Sequence, residues 1–200
     1  MRKILGCFII IMIMITSQIF AGTVYYVDAT NGNDFNSGTS QEIAWKTINK
    51  VNNSSFNPGD SILFKRGETW REQLIVPSSG VSGHPIIFGA YGTGANPVIN
   101  GATSINHDEF VYYLPNIYVT SCLKCYAVWN SNALCKRNNN NIDSLSFDNE
   151  YYYDSTSKEL YLYSSNGSLS RIEVATVQQG IYINLKNHIE ISNIHVKRHW

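Results

Sequence analysis

The feature that most restricts this chain is the shortness and even punctuation of its apolar runs. Ser61-Ile-Leu-Phe64 stops at Arg66-Gly67, Gln73-Leu-Ile-Val76 at Pro77-Ser-Ser-Gly80, Pro85-Ile-Ile-Phe88 at Gly89, and Pro97-Val-Ile-Asn100 at Gly101. β-Branched and aromatic residues framed by Gly and Pro read as strands. Hairpin sheets usually carry longer strands joined by two-residue turns. Strands this short and regularly broken suit a solenoid whose coil bends several times per turn. The pattern returns towards the C-terminus in Gly180-Ile-Tyr-Ile183, His188-Ile-Glu-Ile191 and Ile194-His-Val196. There Ile181, Ile183, Ile189, Ile191, Ile194 and Val196 alternate with more polar residues, which turns one face of each strand inward. Asn193 falls at the corner between two of these strands, where Asn tolerates left-handed backbone.

The N-terminal residues are of another kind. Arg2 and Lys3 precede an apolar run from Ile4 to Ile15, a polar break at Thr16-Ser17-Gln18, and a small residue, Ala21, before Gly22. This is the pattern of a signal peptide over residues 1–21, and the run is shorter than the about 20 residues that span a bilayer. The expected location is therefore secreted or cell-surface, with no stable membrane span after cleavage. Cys7 precedes most of the apolar run, which argues against lipidation. Lys+Arg 15 against Asp+Glu 15 excludes a chain steered globally to nucleic acid, and 44% apolar content with 15% charge excludes disorder.

Val24-Tyr-Tyr-Val27 reads as a strand, and Asp28, Asn33, Asp34 and Gly38 as a long polar turn. Trp45, Ile48 and Val51 share one face of a short helix over Ala44–Asn52, followed by the turn Asn57-Pro58-Gly59-Asp60. Asp28, Asn33 and Asp34 could ligate Ca²⁺, but no third carboxylate is near and their spacing is not that of an EF-hand, so an Asp/Asn turn closing on its own backbone is the favoured reading.

Residues 107–177 differ in character. They hold Cys122, Cys125 and Cys135 and the aromatic strands Tyr151-Tyr-Tyr153, Leu160-Tyr-Leu-Tyr163 and Ile172-Glu-Val174, with Ser155–Lys158 as a hairpin turn. The segment reads as an antiparallel β insertion between 22–106, the cap and first coils, and 178–200, the start of regular coils. Tyr161 and Tyr163 are candidates for stacking on sugar rings, with coverage of the solenoid flank as the structural alternative. The three cysteines allow one disulfide with a spare thiol, reduced packing thiols, or a zinc site with His107.

The residues from Tyr25-Tyr-Val-Asp28 through Gly32-Asn-Asp34, Gly38-Thr39, Trp45-Lys-Thr-Ile48, Pro58-Gly-Asp60 and Phe64-Lys-Arg-Gly67 resemble the N-terminal cap of secreted right-handed parallel β-helix proteins, the pectate-lyase-like superfamily. Ser82-Gly-His-Pro-Ile86, Ala90-Tyr-Gly92 and Pro97-Val-Ile-Asn-Gly101 are similar to early coils of the chondroitinase B and alginate lyase family. The resemblance implies an all-β right-handed parallel β-helix with a capping helix near Trp45. It also implies a polysaccharide groove along the sheets, and catalytic residues several coils downstream. On that basis the chain is expected to be truncated at its C-terminus, with its active site beyond residue 200 and no activity of its own. Such a cap serves lyases, hydrolases and non-catalytic surface proteins alike.

A β-eliminating lyase neutralises a uronate carboxylate, commonly with Ca²⁺, and removes a carbon-bound proton with a base. No cofactor is evident in the chain, and Ca²⁺ would enter with the full-length protein. Suitable bases gather in Lys186, His188, His195, Lys197, Arg198 and His199 around Glu190. On a strand, His195 and Lys197 share one side, where they could begin a cationic groove or be solvated outer residues of a coil. The expectation is an exported monomer acting on polysaccharide, acidic polysaccharide included, as a lyase or glycoside hydrolase. The alternative is a non-catalytic glycan-binding surface protein. No nucleic-acid partner is expected.

Overall fold

The structure is a computed structural model that describes residues 21–169 and 171–199; the signal peptide expectation falls almost wholly outside them. The described chain is nearly all β. Six strands come first: β1 (Val24–Val27), β2 (Ser61–Lys65), β3 (Thr69–Trp70), β4 (Leu74–Ile75), β5 (Ile86–Tyr91) and β6 (Val98–Asn100). Nine follow in a block: β7 (Ala102–Ile105), β8 (Val111–Leu114), β9 (Ile117–Ser121), β10 (Val128–Asn130), β11 (Ala133–Leu134), β12 (Lys136–Arg137), β13 (Glu150–Asp154), β14 (Glu159–Tyr163) and β15 (Ile172–Ala175). The last three are β16 (Ile181–Tyr182), β17 (Ile189–Ile191) and β18 (His195–Lys197).

The first and last groups form three parallel ladders, ordered β1-β2-β5-β17, β3-β6-β18 and β4-β16. Their registers stack like side chains. Tyr25 lies beside Ile62, Ile62 beside Phe88, and Phe88 beside Ile191. In the second ladder Trp70 lies beside Ile99, which lies beside Val196; in the third, Leu74 lies beside Ile181. Ile62, Phe64, Leu74, Ile86, Phe88 and Ile99 are fully buried in one core, with Ile181, Ile189, Ile191 and Ile194 packed against it. The inward alternation expected near the C-terminus holds for Ile181, Ile189, Ile191 and Ile194, whereas Ile183 and Val196 are exposed and lie outside this core. Asn193 has φ 56°, the left-handed corner expected of it.

Helix α1 is shorter than its apolar spacing implies, running Ile48–Asn52. Thr47 caps it by accepting from Lys50 N, and Asp34 reaches in to accept from Lys46 N, Thr47 N and the Thr47 hydroxyl. Trp45 stays outside the helix, bridged to Val27 and stacked on Tyr25 with centroids 4.9 Å apart. Its indole lies against Gly38, which has φ 76° and where a Cβ would strike the ring. Asp28 accepts from Thr30 N, Asn31 N and Lys65 Nζ, and Asn33 Oδ1 accepts from Phe35 N, so the turn reading accounts for this polar segment. Asp60, fully buried, ties Thr23 N and Asn57 N to one carboxylate.

The block from Ala102 to Ala175 is antiparallel apart from the β12–β13 pair. It forms a four-stranded sheet, β11-β10-β15-β7, and a five-stranded sheet, β12-β13-β14-β9-β8. The β13–β14 hairpin turns through 155–158, with Lys158 at φ 62°. β14 is buried on both faces. Leu160 and Leu162 enter one core with Tyr151, while Tyr161 enters a second with Ile117 and Leu145. Among the described residues no helix is long and apolar enough to cross a membrane.

Candidate functional site

Three surface depressions adjoin one another along the antiparallel block, the first and third of them walled also by the parallel ladders. The first holds about 450 Å³ and is lined by Thr69, Arg71, Asn100, Ser104, Asn132, Arg171, Glu173, Lys197 and Arg198. Ser104 also belongs to a second depression, of about 430 Å³, with Ile105, Cys122, Leu123 and Lys124. Lys124 and Thr176 carry over to a third, of about 450 Å³, with Gln73, Tyr126, Gln178, Gln179 and Tyr182. Each volume is in the range that receives a small ligand. Shared walls make them one interrupted cleft.

The chemistry concentrates in the first depression. β3 ends at Trp70, whose ring is held edge-on by Phe64 at 5.2 Å, and this anchors the next residue, Arg71, at the rim. Arg71 donates from Nη1 to Ala102 O at 2.5 Å and from Nη2 to Glu173 Oε1 at 2.8 Å. Glu173 sits on β15, opposite Trp129 of β10 and Ser104 of β7. Its other oxygen pairs with Arg198, which also donates to Asn132 Oδ1 and lies 5.6 Å from the Trp129 ring centroid. Burial, with Arg71 close by, draws the Arg198 guanidinium below its usual range. Asn100, nearly buried, accepts from Ala102 N and fixes the turn between the parallel and antiparallel parts.

Four cations therefore face one carboxylate. Arg71 and Arg198 are engaged by Glu173; among the described residues Arg171 and Lys197 have no carboxylate partner. Both are exposed, so the cleft presents positive charge to a ligand.

The four residues singled out from sequence separate into two places. Lys197 lines the first depression, and His195 lies two residues before it on the same exposed strand. Tyr161 and Tyr163 lie on β14 in the other sheet. Tyr161 is 6% exposed, faces Tyr113 and Tyr152, and donates to Glu159 Oε2 at 2.8 Å; burial and that carboxylate push its phenol upward. Its ring serves packing, the structural alternative. Tyr163 is half-buried and accepts from Asn116 Nδ2 at 3.2 Å. More open rings on this sheet belong to Tyr112 and Tyr113, which composition did not distinguish. Arg71 and Glu173 carry no local sequence signal either, because they lie 102 positions apart in the chain, and Arg171 enters only through its place in the lining.

Cys122, Cys125 and Cys135 are free thiols, all buried. Among the described residues no group of three His, Cys, Asp or Glu side chains is arranged to hold a metal, so the zinc arrangement with His107 is not formed.

No protein-family model matches the chain. In sequence it is 40% identical over 85 residues to a lacto-N-biosidase from Bifidobacterium longum subsp. longum, a match that covers 40% of this chain and 5% of that protein. It is 33% identical to the solved GH136 lacto-N-biosidase from Eubacterium ramulus over 43% of this chain and 14% of that one, with a TM-score of 0.38. XylC, solved in complex with xylose, is 15% identical but superposes over 88% of this chain and 35% of its own, with a TM-score of 0.65. The chain thus spans a small part of the lacto-N-biosidases it matches. Its sequence relatives are glycoside hydrolases, and it shares its fold with part of XylC.

Proposed function

We propose that this chain is the N-terminal region of an exported right-handed parallel β-helix protein that acts on carbohydrate, with glycoside hydrolysis favoured over lysis. The observation that carries the reading is the 40% identity over 85 residues to a lacto-N-biosidase, a glycoside hydrolase. Three parallel ladders visited in turn by successive strands, with α1 packed at the β1–β4 end, support the β-helix and its cap. In this reading the block from 102 to 175 is a side domain, and the seam between it and the coils is where glycan lies.

The cleft suits binding better than bond cleavage. A glycosidase commonly sets one carboxyl group to protonate the leaving oxygen and a second to attack or to activate water. In the first depression the carboxylate is Glu173, and both its oxygens are engaged by guanidiniums. The first depression therefore offers no carboxyl group free for either role. Arg171 and Lys197, with His195 alongside, favour a glycan bearing carboxylate or sulfate groups.

The test is to express the full-length protein and assay lacto-N-biosidase substrates, xylo-oligosaccharides, pectate, alginate and chondroitin. Both reducing-end release and unsaturated-uronate absorbance are followed. Reducing ends without unsaturated product support hydrolysis; unsaturated product replaces hydrolase with lyase. Binding to an acidic glycan without turnover by the full-length protein moves the assignment to the second reading, a non-catalytic glycan-binding protein, which the engaged state of Glu173 favours.

A further inference from the structure

A fourth depression, of about 330 Å³, lies across the β10–β11 turn from the first. Asn130 and Ser131 face this one and Asn132 the other. Three turns build it. β10 and β11 are joined through Ser131 and Asn132, both left-handed at φ 49° and 77°, as a two-residue hairpin turn requires. The turn ahead of β13 brings Asp148 and Asn149, and the segment after β14 brings Ser164, Asn166 and Ser168.

Hydrogen bonds tie these turns to one another. Asp148 accepts from Ser165 N at 2.6 Å and from the Ser165 hydroxyl at 2.8 Å, which fastens the second turn to the third. Asn166 Oδ1 accepts from Ser168 N at 2.9 Å and from the Ser164 hydroxyl at 3.2 Å, and Asn130 Nδ2 reaches Ser168 O at 3.5 Å. The walls are thus fixed before any ligand arrives.

What these bonds leave over decides the chemistry. Asn166 spends its oxygen on its own loop, so its Nδ2 hydrogens have no partner among the described residues. Asn149 lines the same depression half-buried, and its side-chain amide is likewise unpartnered there. Asp148 is the one charged residue of the lining, and its bonds from Ser165 hold the carboxyl below the usual range, so it stays ionised at neutral pH. Amide donors beside a carboxylate acceptor match vicinal hydroxyls, each of which both donates and accepts. An acidic group would instead meet Asp148 with no cation in the wall to offset it. The contrast with the first depression is complete, since there Arg171 and Lys197 stand exposed.

We propose that the depression between the β10–β11 turn and the turns around Asp148 and Asn166 is an accessory binding site for a single neutral pyranose unit. Asn149 and Asn166 donate to its ring hydroxyl oxygens, and Asp148 accepts from a neighbouring hydroxyl. No aromatic ring lines the site, so hydrogen bonds carry the recognition. The site goes beyond the reading of the cleft and is independent of it, because an acidic glycan can occupy the cleft whether or not this depression fills.

The test is a titration of the chain, followed by amide cross-peaks in nuclear magnetic resonance, with methyl β-galactopyranoside, methyl β-glucopyranoside, methyl β-xylopyranoside and, as the acidic probe, methyl β-glucuronide. At least one neutral glycoside should shift the Asn149 and Asn166 side-chain signals saturably, and the glucuronide should bind there more weakly. Asn149→Gly removes the amide while tolerating the left-handed backbone at φ 66°, and Asn166→Asp keeps the oxygen that holds Ser168 N while removing the donor. Each should weaken the neutral glycoside by about tenfold, whereas Lys197→Ala should leave it unchanged. Dispersed spectra of the variants verify that they fold, and the shifts are read first on the unsubstituted chain. Shifts that grow linearly without saturating, saturable shifts confined to the cleft, a glucuronide that binds this depression as tightly as the neutral probes, or folded variants that keep full affinity would each overturn the proposal. Acidic-glycan binding lost on Lys197→Ala concerns the cleft alone, so the two readings fail separately.

Discussion

The parallel ladders and the antiparallel block bury short strands by different means. In the ladders each strand contributes one inward face, and cohesion comes from stacking like residues in register, as in Tyr25, Ile62, Phe88 and Ile191. In the block, β14 buries Leu160 and Leu162 on one side and Tyr161 on the other, so a single strand serves two cores. The first arrangement relies on repetition along the sequence. The second relies on neighbours supplied by several local hairpins, and the seam between the two is where charge collects.

Core truncation should break this comparison most forcefully. Phe64→Ala removes a fully buried ring from the ladders and should cost about 3–5 kcal/mol, while Leu160→Ala in the block should cost about 2–5 kcal/mol. Urea unfolding followed by replacing either Trp70 or Trp129 as reporter shows which part melts. A common midpoint for both reporters in both variants would mean that the two regions form one cooperative unit.

Acid should act first on the ladders. Burial pushes the Asp28 carboxyl up, but hydrogen bonds from Asn31 N and Lys65 outweigh it and hold it at about 2. A folded pKa below the unfolded one means that Asp28 contributes its full stability above about pH 4 and loses it as pH falls towards 2. That contribution is at most about 2 kcal/mol. Asp28→Asn should flatten this limb of the stability–pH curve; an unchanged slope would remove Asp28 from the account.

At the seam, Glu173→Gln leaves Arg71 and Arg198 without their shared carboxylate and should cost about 1–2 kcal/mol. A double-mutant cycle with Arg71→Ala measures how far the two regions are joined by charge, and strict additivity would deny the link. The smallest effect is expected on the outer side of the block. Lys136 is 79% exposed in its pair with Glu150, and Lys136→Ala should change stability by less than about 1 kcal/mol in chemical unfolding.

What could be read from the sequence follows the same division. Ile189, Ile191 and Asn193 announced an inward face and a left-handed corner because both are properties of neighbouring residues. The Ser155–Lys158 turn was legible for the same reason. Alternation could not reveal that Tyr161 is covered, since a strand packed on both faces has no polar side to mark. It could not reveal the Glu173 cluster either, because Arg71 lies 102 positions away from its partner. The short helix was overextended because Trp45 shares the spacing of Ile48 and Val51 but is held by Val27 and Tyr25.

Where the block departs and returns, Thr176 N donates to Gly101 O at 3.0 Å. Exit and re-entry are thus adjacent, and β6 and β16 belong to ladders that never require the intervening residues as partners. Evolution can lengthen, exchange or delete such a module without rewinding the strands on either side. The seam, the one place where the module touches them, is then the part of the protein whose specificity can be rewritten most freely.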